Sequence, residues 1–375
     1  MSEFENYSPT KYYLVRHRAP NEHVITFDEI LDNFDCDMSI FHEGNHIANC
    51  TYTYRTTAKI GQYAMQTSRF KRRIRDFLNK YADILNKDTA TEYRTFYIPK
   101  KKGGFRRIDA PSDRMKEAQK ELREIMEELG LLHHTSAFAY VAERSGKDAV
   151  MKHKDSKWFY QADFHNFFGS ITKDWTFKIL EQIWPIAFVI DDNFKKAMEV
   201  CFLNGVLPQG SIISPALTNW LMIPFDYTIT NLLKNEFVYT RYADDIQISC
   251  IHPFNRYDMR KKINDVLKFV EAPFHMAPEK ESYGNNAGKN FMLGLIVNKE
   301  GNVTVGWRAK KELKAAVCNM LGKYVDGVLT PDELRHVNGL ISYQKEIDKE
   351  YTEYFVSKLE EKFGVTVKQI VKEML

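Results

Sequence analysis

Apolar runs broken by glycine, proline and aspartate divide the chain into short strands and longer helices. Phe237-Val238-Tyr239-Thr240 and Ile246-Gln247-Ile248-Ser249 are rich in β-branched and aromatic residues. They read as a hairpin whose tip is Tyr242-Ala243-Asp244-Asp245. Another strand, Trp158 to Ala162, ends at Asp163 and passes into Phe167-Phe168. Phe96 to Pro99 and Phe105 to Ile108 flank Lys100-Lys101-Lys102-Gly103-Gly104, the pattern of a basic hairpin with a glycine turn. Phe291 to Val297 reads as a buried strand containing Gly294, whose missing side chain allows close backbone approach.

Helical spacing governs much of the rest. Phe70, Ile74, Phe77, Leu78, Tyr81 and Leu85 form one apolar stripe, with Ser68 as its expected N-cap and arginines on the other side. That helix suits either a template contact or an ordinary amphipathic surface role. Met115, Ala118, Leu122, Ile125, Met126 and Leu129 predict a second helix, and residues 174–203 a longer helical segment. Leu207-Pro208-Gln209-Gly210-Ser211 leads to Ser214-Pro215, a good helix start. Trp307 to Tyr324 places Leu313, Val317, Met320, Leu321 and Tyr324 inward and lysines outward. Thr330-Pro331-Asp332-Glu333 is a capping box with proline at the first helical position. The pattern stays helical to Leu375. Residues 1–65 offer only short strand-like runs such as Tyr52 to Tyr54.

A chain of 375 residues with 44% hydrophobic content and no low-complexity run is globular, with enough length for two or three domains. The net charge of +3 is too small for a histone-like binder. Basic residues nevertheless cluster at Arg69 to Arg75, Lys100 to Arg107 and Arg308 to Lys314. Such clusters suit a phosphate-gripping channel, and 20 tyrosines with 25 phenylalanines leave aromatics for base stacking. Five cysteines without paired spacing argue against zinc and for a reducing, cytoplasmic setting. The acidic start Met1-Ser2-Glu3 is no signal peptide. Trp184 to Ile190 contains Pro185 and stops at Asp191, so no membrane span is expected.

Asp244 and Asp245 are the chemical centre. Adjacent carboxylates repel, and a bound divalent cation is the natural way to keep both ionised. An aspartate-rich turn is the ordinary alternative. The order of the surrounding motifs decides between the two.

In that order the motifs resemble the reverse transcriptases, specifically the bacterial branch of retron enzymes and defence-associated relatives. The matching residues are Arg106-Arg107-Ile108, Asp163 with Phe167-Phe168, Pro208-Gln209-Gly210 with Ser214-Pro215, Tyr242-Ala243-Asp244-Asp245, Lys280 and Leu293-Gly294-Leu295. The resemblance covers residues 94–345. It implies an α+β right-hand polymerase fold: fingers, a palm with an antiparallel sheet, and a helical thumb. Residues 1–93 would be an N-terminal extension and helical fingers element, 94–158 fingers, 159–300 palm and 301–375 thumb.

The resemblance also implies roles. Asp163 and Asp244 would ligate two Mg²⁺ ions, which Mn²⁺ can replace, with the Phe164 carbonyl completing the shell and Asp245 in support. Lys280 would protonate the pyrophosphate, its plainer reading being a surface lysine. Arg106 and Lys102 would grip the dNTP triphosphate, against the alternative of a solvated basic hairpin. Phe168 would stack under the incoming sugar and exclude a 2′-hydroxyl, while Phe167 is core. Gln209 and Gly210 would lie against the nascent base pair and template, and Leu293 and Gly294 beside the primer end.

The implied activity is RNA-directed DNA polymerisation in the cytoplasm, copying a dedicated non-coding RNA in bacterial antiviral defence. Its partners would be the RNA template, the DNA product and dNTPs, with room for an effector protein and a homo-oligomer. Pro215 stands where diversity-generating enzymes carry glutamine. Asp148-Ala149 before His153, and Met292-Leu293-Gly294, depart from the usual retron Asn-Ala and Val-Thr-Gly. No endonuclease, protease or ribonuclease H segment is expected after the thumb. Three alternatives remain: a retron enzyme making an RNA–DNA hybrid, template-independent or protein-primed synthesis, and a non-catalytic RNA-binding scaffold.

Overall fold

A basic hairpin follows the first helix in the computed structural model, which describes residues 67–100, 103–131, 133–183, 185–285, 292–298 and 301–375. β1 (Tyr93–Pro99) pairs antiparallel with β2 (Phe105–Pro111), setting Ile98 opposite Arg106 and Tyr97 opposite Arg107. The turn closes through Lys100 N–H to the Gly104 carbonyl, with φ of +91° at Gly103 and +78° at Gly104. Those left-handed angles are why two glycines stand there. The expectations for residues 1–65, Lys101, Lys102 and Phe291 lie outside the described residues.

The palm sheet is antiparallel throughout. β3 (Trp158–Asp163), β4 (Val238–Tyr242), β5 (Asp245–Cys250) and β6 (Ser282–Asn285) run in the spatial order β4-β5-β3-β6. Strand side chains alternate between faces. Tyr160, Ala162, Ile246 and Ile248 therefore point into the main core, while Asp163 and Asp245 share the opposite face in register. Helices Asp113–Glu127, Ser214–Leu221, Ile223–Leu233 and Arg256–Phe269 cover the apolar face. Each fully buried large side chain in that core, such as Phe77, Leu122 or Phe225, contributes about 1.5–3 kcal/mol.

A small hairpin, β7 (Leu295–Val297) and β8 (Val303–Val305), packs with helix Gly146–Lys152, Phe159 and Ile347 in a separate cluster beside the acids. The thumb follows as helices Trp307–Val325, Pro331–Ile347, Lys349–Phe363 and Val367–Met374. They enclose their own core around Leu313, Val317, Met320, Leu321, Leu334 and Ile370. The Thr330–Glu333 capping box forms as the sequence predicts, and a second joins Thr366 and Gln369. Among the described residues no helix is long and apolar enough to cross a membrane.

Three local expectations are corrected. Residues 67–80 are already helical, so Ser68 lies inside the helix rather than capping it. The stretch 174–203 is broken into helix Lys173–Leu180, a 3₁₀ turn at Ile186–Val189, helix Asp192–Ala197 and a 3₁₀ turn at Met198–Cys201. Pro185 lacks the amide that a continuous helix needs, and Asp191 caps the next one. The expected strand ending at Val297 is broken within its described part: Leu293 (φ +53°) and Gly294 (φ +75°) turn the chain, and Leu295 N–H returns to the Met292 carbonyl at 2.7 Å. Gly294 serves that turn, since a Cβ there would meet nothing within 4 Å.

Candidate active site

The hairpin tip carries its acids because a two-residue turn joins β4 to β5. Tyr242 pairs with Asp245, leaving Ala243 and Asp244 to reverse the chain, with Ala243 left-handed at φ +58°. β3 lies on the other side of β5 and ends with Asp163 opposite Asp245. Side chains paired in this way stand about 5 Å apart, and like charges so placed repel. The chain beyond Asp163 is tied in place: Phe164 N–H donates to the Asp244 carbonyl at 3.3 Å, and the Asp163 carbonyl accepts from Ala277 N–H at 2.7 Å. The Phe164 ring is buried among Phe167, Phe225 and Phe274.

Lys280 enters the cluster from the segment before β6. Its Nζ donates to Asp163 Oδ2 at 2.6 Å. The other oxygen, Asp163 Oδ1, is buried with no hydrogen-bond partner. Burial, then the charge of Asp163, holds the Asp244 carboxyl above its ordinary range. Desolvation in the cluster, then the charges of Asp244 and Asp163, pushes Asp245 up to about 7, although the residue itself is exposed, so solvent screens much of this shift. Burial works against the Lys280 ammonium, but its bond to Asp163 and the field of the three acids raise it overall.

Such a cluster fits a hard cation: the donors are oxygens, one is orphaned, and mutual repulsion opposes full ionisation. Among the described residues no group of three or more His, Cys, Asp or Glu is arranged to hold a metal ion. An ion here would take most of its ligands from outside the three side chains.

The structure brings several of the predicted residues around the acids. Burial raises both Asp244 and Tyr140, and the nearby Arg106 guanidinium offsets a small part of that rise. Leu293 Cδ1 and Tyr242 both border Gly146, so the turn at Leu293 and Gly294 sits beside the acidic hairpin. Phe168 is half-buried and meets Phe167 edge-on at 5.5 Å, while Phe167 is core as expected. Gln209 binds the fingers through its backbone, its carbonyl accepting from Asp109 N–H at 2.8 Å. Gly210, at φ +130°, lies against the Asp109 backbone. The close approach that this glycine permits is thus to β2. On the stripe helix, Arg69 and Arg73 pair with Glu128, and Lys71 with Asp191.

Tyr140 and Arg241 escaped the motif pattern, whereas His153 was noted there only for its spacing to Asp163. Tyr140, left-handed at φ +59° and half exposed, feels the charge of Asp244. His153 is fully buried and joins both strands of the acidic hairpin, through Ser249 Oγ at 2.6 Å and Thr240 Oγ1 at 2.8 Å. Burial brings it down to about 3, so it is neutral. Arg241 and Asp226 form an ion pair with both side chains wholly buried. The one available signal was a charged residue at an inward position of an otherwise apolar strand.

Comparison with known proteins gives the family. The family model for reverse transcriptase (RNA-dependent DNA polymerase) matches residues 98–297. The chain therefore belongs to the reverse transcriptase family. It is similar to the Retron Ec83 reverse transcriptase of Escherichia coli, 28% identical over 77% of this chain and 93% of the relative. The Retron Mx162 reverse transcriptase of Myxococcus xanthus is 30% identical over 62% of this chain and 53% of the relative. The Retron Ec73 reverse transcriptase of Escherichia coli is 28% identical over 73% and 87%. Among solved structures, apo telomerase from Candida tropicalis overlaps 61% of this chain and 58% of its own at 15% identity and a TM-score of 0.41. The chain is a retron-like bacterial reverse transcriptase, and its activity is RNA-directed DNA polymerisation.

Proposed function

We propose that Asp163, Asp244 and Asp245 hold divalent ions for transfer of a deoxynucleotide to a primer 3′-hydroxyl. One observation carries this reading: Asp163 ends its strand opposite Asp245, next to Asp244 in the turn, with one buried oxygen that has no partner. Asp163, Asp244 and the Phe164 carbonyl supply ligand oxygens, with Asp245 in support. Bound there, Mg²⁺, or Mn²⁺ in its place, would supply Lewis-acid activation of the attacking hydroxyl and charge neutralisation at the leaving pyrophosphate.

The chain's own groups do the rest. Lys280 exchanges Asp163 for the pyrophosphate and protonates it. Arg106 and Lys102 hold the triphosphate, the guanidinium by its fork and the lysine as a point charge. Phe168 excludes a 2′-hydroxyl. Gln209 and Gly210 line the nascent pair from a loop tied to β2, and Leu293 and Gly294 sit at the primer end. Residues 94–158 act as fingers, 159–300 as palm and 301–375 as thumb.

The template in this reading is a dedicated non-coding RNA, and the setting is cytoplasmic antiviral defence, with an effector protein and self-association as further partners. Similarity to retron enzymes supports it. The same similarity favours one second reading, a retron enzyme whose product is an RNA–DNA hybrid. Primer extension on RNA with dNTPs and Mg²⁺ tests the core of the proposal. Extension should vanish in Asp244→Ala; extension that persists would sink it. Sequencing nucleic acid that co-purifies with the protein tests the template: one recurrent RNA joined to DNA is expected, and a random transcript population would refute it.

A further inference from the structure

Arg241 immediately precedes Tyr242 on β4, and its side chain is fully buried. It pairs with Ile246 across the ladder, on the core face of the sheet, away from the acids. Its Nε donates to Asp226 Oδ1 at 2.8 Å and Oδ2 at 3.1 Å, and its Nη2 to Asp226 Oδ2 at 2.7 Å. Tyr239 Oη also donates to Asp226 Oδ1, at 2.6 Å. These bonds satisfy the carboxylate and would complete an ordinary buried ion pair.

Nη1 does something else. It donates to the Ala243 carbonyl at 3.0 Å and to Asn219 Oδ1 at 3.1 Å. Asn219 is itself held by the Ala139 carbonyl, to which its Nδ2 donates at 2.6 Å. Ala243 is the left-handed residue of the acidic turn, at φ +58°. A residue with a Cβ resists that conformation unless its surroundings over-determine it. The next carbonyl, that of Asp244, is taken by Phe164 N–H. The turn is thus held at two successive carbonyls, from behind by Arg241 and from the side by the chain following Asp163.

We propose that Arg241 is a positioning residue for nucleotidyl transfer, fixing through the Ala243 carbonyl the left-handed turn that aims the Asp244 carboxylate at Asp163. This rests on Asp244 being a catalytic acid. A purely structural ion pair would need only Nε and Nη2. The extra bond requires a planar fork, because a lysine facing Asp226 is a point charge that cannot also span Asn219 and Ala243.

Two variants test it. Arg241→Lys keeps a cation opposite Asp226. Asp226→Leu combined with Arg241→Met removes both charges, so no buried ion is stranded. Each is examined for thermal midpoint, for Mn²⁺ affinity by paramagnetic resonance without nucleic acid, and for primer extension. A folded variant should bind Mn²⁺ about tenfold more weakly and lose about a hundredfold in kcat, with little change in the KM for dNTP. Adding Ala243→Gly to Arg241→Lys should restore part of the lost kcat, because glycine enters the left-handed region without strain. Wild-type Mn²⁺ affinity and kcat in either folded variant overturn the proposal. A lowered midpoint with unchanged turnover below it does so as well. Asp244→Ala is measured alongside: if it extends primers normally, the reading of the acids has failed, independently of Arg241.

Discussion

Lys280 Nζ lies 2.6 Å from Asp163 Oδ2, so the first acid of the site is paired with a lysine where a metal ligand is expected. The ammonium offsets repulsion among the three carboxylates, whose field raises its own proton affinity. In Lys280→Met the metal-free cluster loses that cation. Its thermal midpoint should fall, and the rise on adding Mg²⁺ should exceed that of the wild type. Extension should slow about a hundredfold if Lys280 also protonates the leaving group. Unchanged melting and unchanged extension would mark it as a bystander.

The raised carboxyl of Asp245 makes metal-free stability depend on pH. A folded-state value of about 7 against 3.8 for the free side chain means that folding takes up protons between those limits. Stability from this group is therefore lost as pH climbs from about 4 to about 7, and Asp244 acts in the same direction. His153 and His133, brought down by burial to about 3 and about 4, act oppositely and lose stability as pH falls below 6.5. Asp245→Asn isolates the acid. Without metal it should melt above wild type at about pH 8, and the gap should shrink below about pH 7 and close only near pH 4. Saturating Mg²⁺ should remove the advantage at the higher pH. Calorimetry across that range checks the sign.

Gly210 is packed closely against the backbone of β2. A Cβ there would stand 2.6 Å from the Asp109 carbonyl oxygen, and φ is +130°. Gly210→Ala should destabilise the protein by about 1–3 kcal/mol. Gly284→Ala, which meets nothing within 4 Å, should be close to neutral. Urea unfolding of both variants measures the difference.

Phe168 is half-buried against Phe167, so its ring can be trimmed without opening the main core. Phe168→Ala should admit ribonucleotides, narrowing the ratio of dNTP to rNTP kcat/KM by at least about tenfold. Single-nucleotide incorporation kinetics read it directly. Sugar selectivity equal to wild type would remove this ring from the gate.

Local chemistry was legible in the order of residues. The acidic hairpin, the strand ending at Asp163, the glycine turn after Lys100, the proline-started helix at Ser214 and the Thr330 capping box all rest on contacts within a few positions. Periodicity and turn preference report such contacts directly. Helix ends were less legible: the Ser68 start and the stretch 174–203 depended on neighbours that the local pattern does not contain.

Tertiary structure decided what lies far apart along the chain. It set Asp163 against Asp245, placed Lys280 on Asp163, and turned Gly210 toward the Asp109 backbone rather than only toward a ligand. It also showed that Arg241, one position before the acidic motif, reaches Asp226, Asn219 and Ala243 at once. Side-chain period and turn propensity are short-range properties. Strand register and buried polar networks depend on which distant segments meet when the core closes, and no local pattern encodes that meeting.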